Sequence, residues 1–241
     1  MSARVGVVLS GCGVMDGSEI HEAVSILVAL DRRGAKIECI APDIPQRDVV
    51  NHLTNKPEDK SRNVMQEAAR IARGKIKNIA DVSADDFDAL IFPGGFGAAK
   101  NISTFATDGA NCTIEKNVEK LFRAMHAAGK PIGLACIAPV IAAKILGNHH
   151  PKLTLGSDPK MAKTMEAMGA THHPAGDVDV VVDEEHRLVS TPCYMNDVGP
   201  WIVYQGAERM VEEVLRLAGD TAAGIRSHLA TTAAHGATHG T

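Results

Sequence analysis

The chain has 241 residues, and 25 lysines and arginines against 29 aspartates and glutamates give a net charge of −4 with histidine neutral. That length suits one domain or two small ones, and 45% apolar residues are enough for a sizeable core. The mild acidity excludes a broad basic footprint, and five Phe, two Tyr and one Trp are too few for a base-stacking platform, so no nucleic-acid partner is expected. The longest apolar run, residues 134–143, stops at Lys144, too short to span a membrane. The N-terminus offers one arginine and a short apolar run over 5–9 before Gly, Asp and Glu follow, which does not read as a signal peptide. Five cysteines (Cys12, Cys39, Cys112, Cys136, Cys193) are scattered with no CxxC pair, so neither a disulfide framework nor a zinc site is expected. A reducing, cytoplasmic location follows from that usage.

In chain order, residues 5–9 form an apolar run ending in Ser10-Gly11-Cys12-Gly13, as a buried parallel strand ends in a turn. Ser18 is placed to cap a helix whose first turn carries Glu19 and Glu22 and whose apolar spacing continues to Gly34. Residues 37–41 read as a second strand closed by Pro42. The polar stretch 43–60, with Pro45 and Pro57, has no period and reads as a surface excursion. Helical spacing returns with Val64, Ala68, Ile71 and Ala72. Strands are predicted over 89–92, running into Pro93-Gly94-Gly95-Phe96-Gly97, and over 131–135, meeting Cys136, with a helix ending near 128 between them. Residues 178–182 and 188–191 read as paired strands around Glu184 and Glu185, and 207–217 as a last amphipathic helix.

Strands alternating with helices imply an α/β class with a mostly parallel sheet covered on both faces. No internal repeat is visible. Residues 1–220 form one domain on this reading, and the Ala, Thr, Gly and His composition of 221–241 suggests a loose tail.

Ligands of open α/β sheets bind beyond the carboxyl ends of the strands, which draws attention to three turns: Gly11-Cys12-Gly13, Gly94 to Gly97, and the one at Cys136. A thiol at a strand-to-helix turn is exposed at the tip, and the helix N-terminus favours thiolate, so Cys136 is the candidate nucleophile; a buried cysteine acting as a small hydrophobe is the alternative. The backbone N–H groups of the glycine turn can serve a developing oxyanion. Glu22 is either an ordinary first-turn acid or, with apolar Ile20, Ala23 and Val24 around it, a half-buried proton shuttle, and Glu19 is the competing carboxylate. The pairs His149-His150 and His172-His173 are adjacent and do not converge on one metal, and no metal site is expected.

The segments SGCGV (10–14), DGSEIHE (16–22), NHLT (51–54), RNV (62–64), PGGFGAAKN (93–101) and CIAP (136–139) resemble the ElbB family, isoprenoid biosynthesis proteins with an amidotransferase-like domain in the ThiJ/PfpI superfamily. The resemblance covers about residues 4–218 and implies a flavodoxin-like sandwich with class I glutamine amidotransferase-like topology. It implies Cys136 as the elbow cysteine and, counting back from RRGAK (32–36), Glu22 rather than Glu19 as the catalytic glutamate. It assigns the oxyanion donors to the N–H groups of Gly95 and Ile137, and the pocket lining to Cys12, Gly94, Asn101 and Pro139. It also implies a homodimer. The chain departs from many relatives in having Ile137 after the elbow and Gly156-Ser157-Asp158 where some place a histidine, so a peptidase triad is unsupported.

The activity implied is a glyoxalase converting small dicarbonyls to hydroxy acids through a Cys136 hemithioacetal, with Glu22 moving the proton and no metal, thiol cofactor or nucleotide required. Removal of dicarbonyl adducts from other molecules, a deglycase reaction, would use the same residues. The rival is a non-catalytic redox sensor or binding protein, linked to isoprenoid biosynthesis by the family name alone. Glutamine amidotransfer ranks last because no His-x-Glu follows the cysteine.

Overall fold

The computed structural model describes residues 2–236, with side chains through residue 219. The apolar runs are strands, and their alternate residues feed two cores on opposite faces of one sheet. In chain order the elements are β1 (Arg4–Val8), α1 (Ile20–Arg32), β2 (Lys36–Ala41), β3 (Val50–Asn51), β4 (Lys56–Pro57), α2 (Val64–Ile71), β5 (Ile76–Asn78) and β6 (Ala89–Phe92). Then come α3 (Phe96–Lys100), α4 (Phe105–Asp108), α5 (Lys116–Ala127), β7 (Ile132–Ala135), α6 (Pro139–Leu146) and β8 (Lys152–Leu153). The chain continues through α7 (Pro159–Ala167), β9 (Thr171–His172), β10 (Val181–Asp183), β11 (Leu188–Thr191) and α8 (Pro200–Gly236). The expected tail at 221–241 falls on side chains, and at its end on whole residues, outside those described.

Seven strands form one sheet in the order β10-β11-β7-β6-β1-β2-β5, parallel except for β10 at the edge. The register pairs Val5 with Ala89 and Ile91 with Gly133, which aligns the strand ends at Leu9, Phe92 and Ala135. The chain leaves β1 toward β2 and β5, then returns to β6 on the other side. A crevice opens where the winding reverses, between β1 and β6.

Period-2 alternation sorts β6 cleanly. Leu90 and Phe92 face the core built with Phe122, Met125 and Ile141 of α5 and α6, whereas Ala89 and Ile91 face the one built with α1 and α8. Both faces are dry, so these strands read as unbroken apolar runs. Helix α1 buries Ala23, Ile26, Ala29 and Leu30 at helical spacing against Met210, Val211 and Val214 of α8. Arg32 then pairs with Glu208 across the two helices at 2.7 Å.

Two expectations about elements change. Glu19, not Ser18, caps α1: its carboxylate accepts the Glu22 N–H at 2.7 Å, while the buried Ser18 hydroxyl accepts the Ser10 N–H at 2.8 Å. The excursion at 43–60 is no simple surface loop either. It carries the β3–β4 hairpin, and the Val50 N–H donates to the buried Asp16 carboxylate at 2.8 Å, which ties it to the turn after β1.

Phe122 is fully buried and its ring packs on Phe92 at 6.1 Å. Phe122→Ala is expected to cost about 3–5 kcal/mol. Urea denaturation should show this as a lower midpoint with an unchanged slope, because a cavity alters stability and not the surface exposed on unfolding.

Candidate active site

Three loops meet at the carboxyl end of the sheet: the one after β6, the elbow after β7 and the one after β11. Cys136 directly follows β7 with φ at 56°, in the left-handed region that a non-glycine residue occupies only when its surroundings impose it. Its N–H donates to the Thr191 carbonyl at 3.0 Å, so β11 holds the elbow in place. Pro139 opens α6 directly behind it, where its missing N–H costs nothing.

The Glu22 side chain reaches the same point from α1. It is fully buried, accepts the Gly94 N–H at 2.9 Å and the Tyr194 N–H at 3.3 Å, and faces the Cys136 thiol across Gly94. Burial, and then repulsion from Glu19, push its carboxyl up to about 8 from the ordinary 4.5. Burial also drives Cys136 well above the usual thiol range, and the Glu22 charge adds to this. The expectation that the helix N-terminus would favour the thiolate is therefore corrected. Desolvation and a neighbouring carboxyl outweigh the terminus and the Gly95 N–H, which does favour it. The resting pair is thiol plus carboxylic acid, with the proton removed first coming from Glu22.

Gly94 and Gly95 fill distinct needs. A Cβ on Gly94 would lie 2.5 Å from the Cys136 Cβ and 2.8 Å from the Glu22 Oε2, so only glycine lets the loop pass between the two groups. Gly95 has φ at 90° and packs against the backbone of Gly17 and Glu19. Its N–H points at the Cys136 sulfur, while the Ile137 N–H donates to no group among the described residues.

A cavity of about 370 Å³ lies over Cys136, lined on its polar side by Glu19, Gly95 and Tyr194. Its other walls come from Val14, Phe96, Ala99, Phe105, Ala106, Ile137, Met161 and Met195. The Tyr194 hydroxyl meets His21 Nδ1 at 2.7 Å at the rim. The four expected lining residues lie elsewhere. Cys12 sits in the field of Arg70 and Glu67, because the turn after β1 folds back through the Gly13–Ser18 and Gly17–Gly13 hydrogen bonds. Asn101 is spent on that same turn, donating to the Ser10 and Asp16 carbonyls at 2.8 and 2.9 Å. Pro139 is buried in α6, and Gly94 lies beneath the sulfur and not on a wall. Tyr194 and Met195 were missed although they follow β11, and the strand-end rule could have found them. Among the described residues no three side chains could hold a metal ion.

Gly94→Ala is expected to cost about 1–3 kcal/mol from overpacking and to slow alkylation of Cys136, read as the iodoacetamide labelling rate of that peptide. A second expectation concerns pH. Between 4.5 and about 8 the folded protein holds a proton on Glu22 that the unfolded chain has released. This group's contribution to stability is thus fully present at low pH and is lost as pH rises through about 8. Glu22→Gln should therefore gain melting temperature relative to the parent as pH rises from about 5 to about 8 by calorimetry. A flat difference would mean that another group titrates.

The model of the DJ-1/PfpI family matches residues 12–197. The human "Glutamine amidotransferase-like class 1 domain-containing protein 3, mitochondrial" is 48% identical over 90% of this chain and 84% of its own length. The Danio rerio "ES1 protein, mitochondrial" is 34% identical over 90% of this chain and 86% of its length. Both names carry the word mitochondrial, which overturns the cytoplasmic expectation. The crystal structure of an isoprenoid biosynthesis protein with amidotransferase-like domain from Ehrlichia chaffeensis is 34% identical, with a TM-score of 0.82, over 88% of this chain and 99% of that one. It carries the class I amidotransferase-like fold expected here. With the family model matched from the turn after β1 to the loop after β11, the chain belongs to the DJ-1/PfpI family.

Proposed function

We propose that the protein is a cofactor-independent glyoxalase that uses Cys136 as nucleophile and Glu22 as proton shuttle. The observation that carries this reading is the fully buried Glu22 carboxyl set against the Cys136 thiol across Gly94, at the floor of a cavity with apolar walls. The Glu22 carboxylate takes the thiol proton as sulfur adds to the aldehyde carbon, and the N–H groups of Gly95 and Ile137 receive the oxyanion. Glu22 passes that proton to the oxyanion, giving the hemithioacetal, and the regenerated carboxylate then takes the carbon-bound proton and returns it to the neighbouring carbon; with the hydroxyl proton of the first carbon moved to the second oxygen, a 2-hydroxy thioester is left. Water then releases the 2-hydroxy acid and restores the thiol. The net change is addition of one water to the dicarbonyl.

A carboxyl pushed up to about 8 suits both directions of that transfer near neutral pH. Turnover should rise toward about pH 8 as the carboxylate form grows. The DJ-1/PfpI family includes glyoxalases and deglycases, and the deglycase reading employs the same two groups. The sensor alternative is disfavoured by the buried, raised thiol, since oxidation-sensing cysteines are exposed thiolates. A narrower placement among ElbB-type proteins rests on the Ehrlichia chaffeensis structure, whereas the curated relatives bear ES1 and amidotransferase-like names.

A homodimer fits the surface of α1, where Ile20, Val24 and Val28 repeat at four-residue spacing and remain 43–45% exposed. Val24→Lys is expected to shift sedimentation toward monomer.

Glu22→Gln and Cys136→Ser should each lower glyoxal turnover by about 10²–10⁴-fold, and the double variant little more than either one. Glu19→Gln is the control: an amide oxygen can still accept the Glu22 N–H, so most turnover should be retained, while loss of the Glu19 charge moves the pH profile down. If Glu19→Gln alone were inactive, the shuttle would be Glu19. Turnover untouched by Cys136→Ser would remove the glyoxalase reading.

A further inference from the structure

The cavity is far larger than glyoxal requires. Its volume of about 370 Å³ lies within the range of roughly 300–1,000 Å³ that encloses drug-sized ligands. A water molecule claims about 30 Å³ of liquid, so a dicarbonyl with four heavy atoms would fill about a third of the space. What borders the remainder is apolar: Val14, Phe96, Phe105, Met161 and Met195 come from five separate segments and converge above the sulfur. The two methionines are unbranched and adaptable, which suits a flexible hydrocarbon better than one rigid shape.

Charge on the walls points the same way. Glu19 is the charged side chain among the lining residues, and no lysine or arginine lines the cavity among the described residues. Lys100, which lies over the Phe96 ring at 5.4 Å, has its ammonium bonded to Asp48 Oδ2 at 3.0 Å and to the Met15 carbonyl at 3.1 Å. A carboxylated or phosphorylated substrate would find one negative charge and no counter-charge there.

On the glyoxalase reading, we propose that the substrate class of this site is a 2-oxoaldehyde with an uncharged, apolar tail of roughly six carbons or more. The dicarbonyl end lies on Cys136 and Glu22, and the tail occupies the space between Phe96, Phe105, Met161 and Met195. Glu19 turns away anionic compounds of equal length.

The test compares kcat/KM for methylglyoxal, hexylglyoxal and a hexylglyoxal analogue carrying a terminal carboxylate, with Cys136→Ser beside the parent protein. Each buried methylene is worth about fourfold, so hexylglyoxal should exceed methylglyoxal by about 10–100-fold after allowing for the open mouth. The carboxylated analogue should fall at least about tenfold below hexylglyoxal. Ala106→Arg, at the exposed rim, should narrow that gap by about fivefold or more. A readout independent of turnover is the labelling of Cys136 by N-hexyl iodoacetamide against iodoacetamide, each divided by its rate with glutathione. The hexyl reagent should be favoured about tenfold.

Methylglyoxal turned over as well as hexylglyoxal, with Cys136→Ser inactive, would overturn the tail and leave the glyoxalase standing. No turnover of any 2-oxoaldehyde, with the hexyl reagent still favoured, would overturn the glyoxalase while upholding the apolar-tail preference of the site. Loss of the labelling preference as well would overturn both.

Discussion

The buried carboxyl of Glu22 is the constraint on which the site depends. It is fully shielded from water, yet it is met by an N–H from the loop after β6, an N–H from the loop after β11 and the thiol of the elbow after β7. Three loops that share no sequence neighbourhood are thereby brought to one point. A charged carboxylate in that position lacks a cation, so the folded protein favours the protonated form. The same desolvation that makes the group costly to ionise places its titration where a proton can be taken and returned near neutral pH.

Each neighbour of Glu22 is shaped by this requirement. Glycine at 94 lets the backbone pass between the carboxyl and the sulfur, and the left-handed φ of Cys136 turns its side chain back toward α1. Such a backbone costs about 1–3 kcal/mol where nothing imposes it. Here the Thr191 carbonyl on one side and the Pro139 start of α6 on the other impose it. Glu19 caps α1 and so fixes the rotation of the helix that aims Glu22 inward. Its carboxylate also raises the Glu22 titration, so one residue orients the shuttle and tunes it.

The strand ends and the two-faced sheet were legible from the chain, because apolar runs ending in glycine or cysteine carry a strong local signal, whereas Glu22 rather than Glu19 as the partner of Cys136 was implied only by the family resemblance. Burial on both faces makes β1, β6 and β7 near-continuous in apolar residues, which no competing element imitates. What was not legible depended on long-range contact. Asn101 sits in a motif beside the site, yet its amide faces the turn after β1, a fact set by the fold and not by spacing. The short elements α3 and α4 have too few residues for a helical period to show, and α7 buries only Met165 and so carries no apolar stripe, although the three supply Phe96, Phe105 and Met161 to the cavity. The acidity of Cys136 was misjudged for the same reason. Position at a helix start is visible in sequence, whereas the depth of burial and the facing carboxyl that outweigh it are not.

The cavity divides its tasks between floor and wall. The floor holds the Cys136 thiol and the Glu22 carboxyl, and it is built from the ends of β6 and β7 and the first turn of α1. The walls are built from α3, α4, α7 and the segment after Cys193, which are short, and they are almost wholly apolar. Changing a wall residue therefore alters what fits without disturbing the hydrogen bonds of Glu22. Glu19 belongs to both through its side chain: it lines the cavity, caps α1 and adds to the charge that Glu22 feels. Any change of preference that replaces Glu19 must act on the proton shuttle as well, so in this chain charge selectivity and proton transfer are coupled through one side chain, while size selectivity is not.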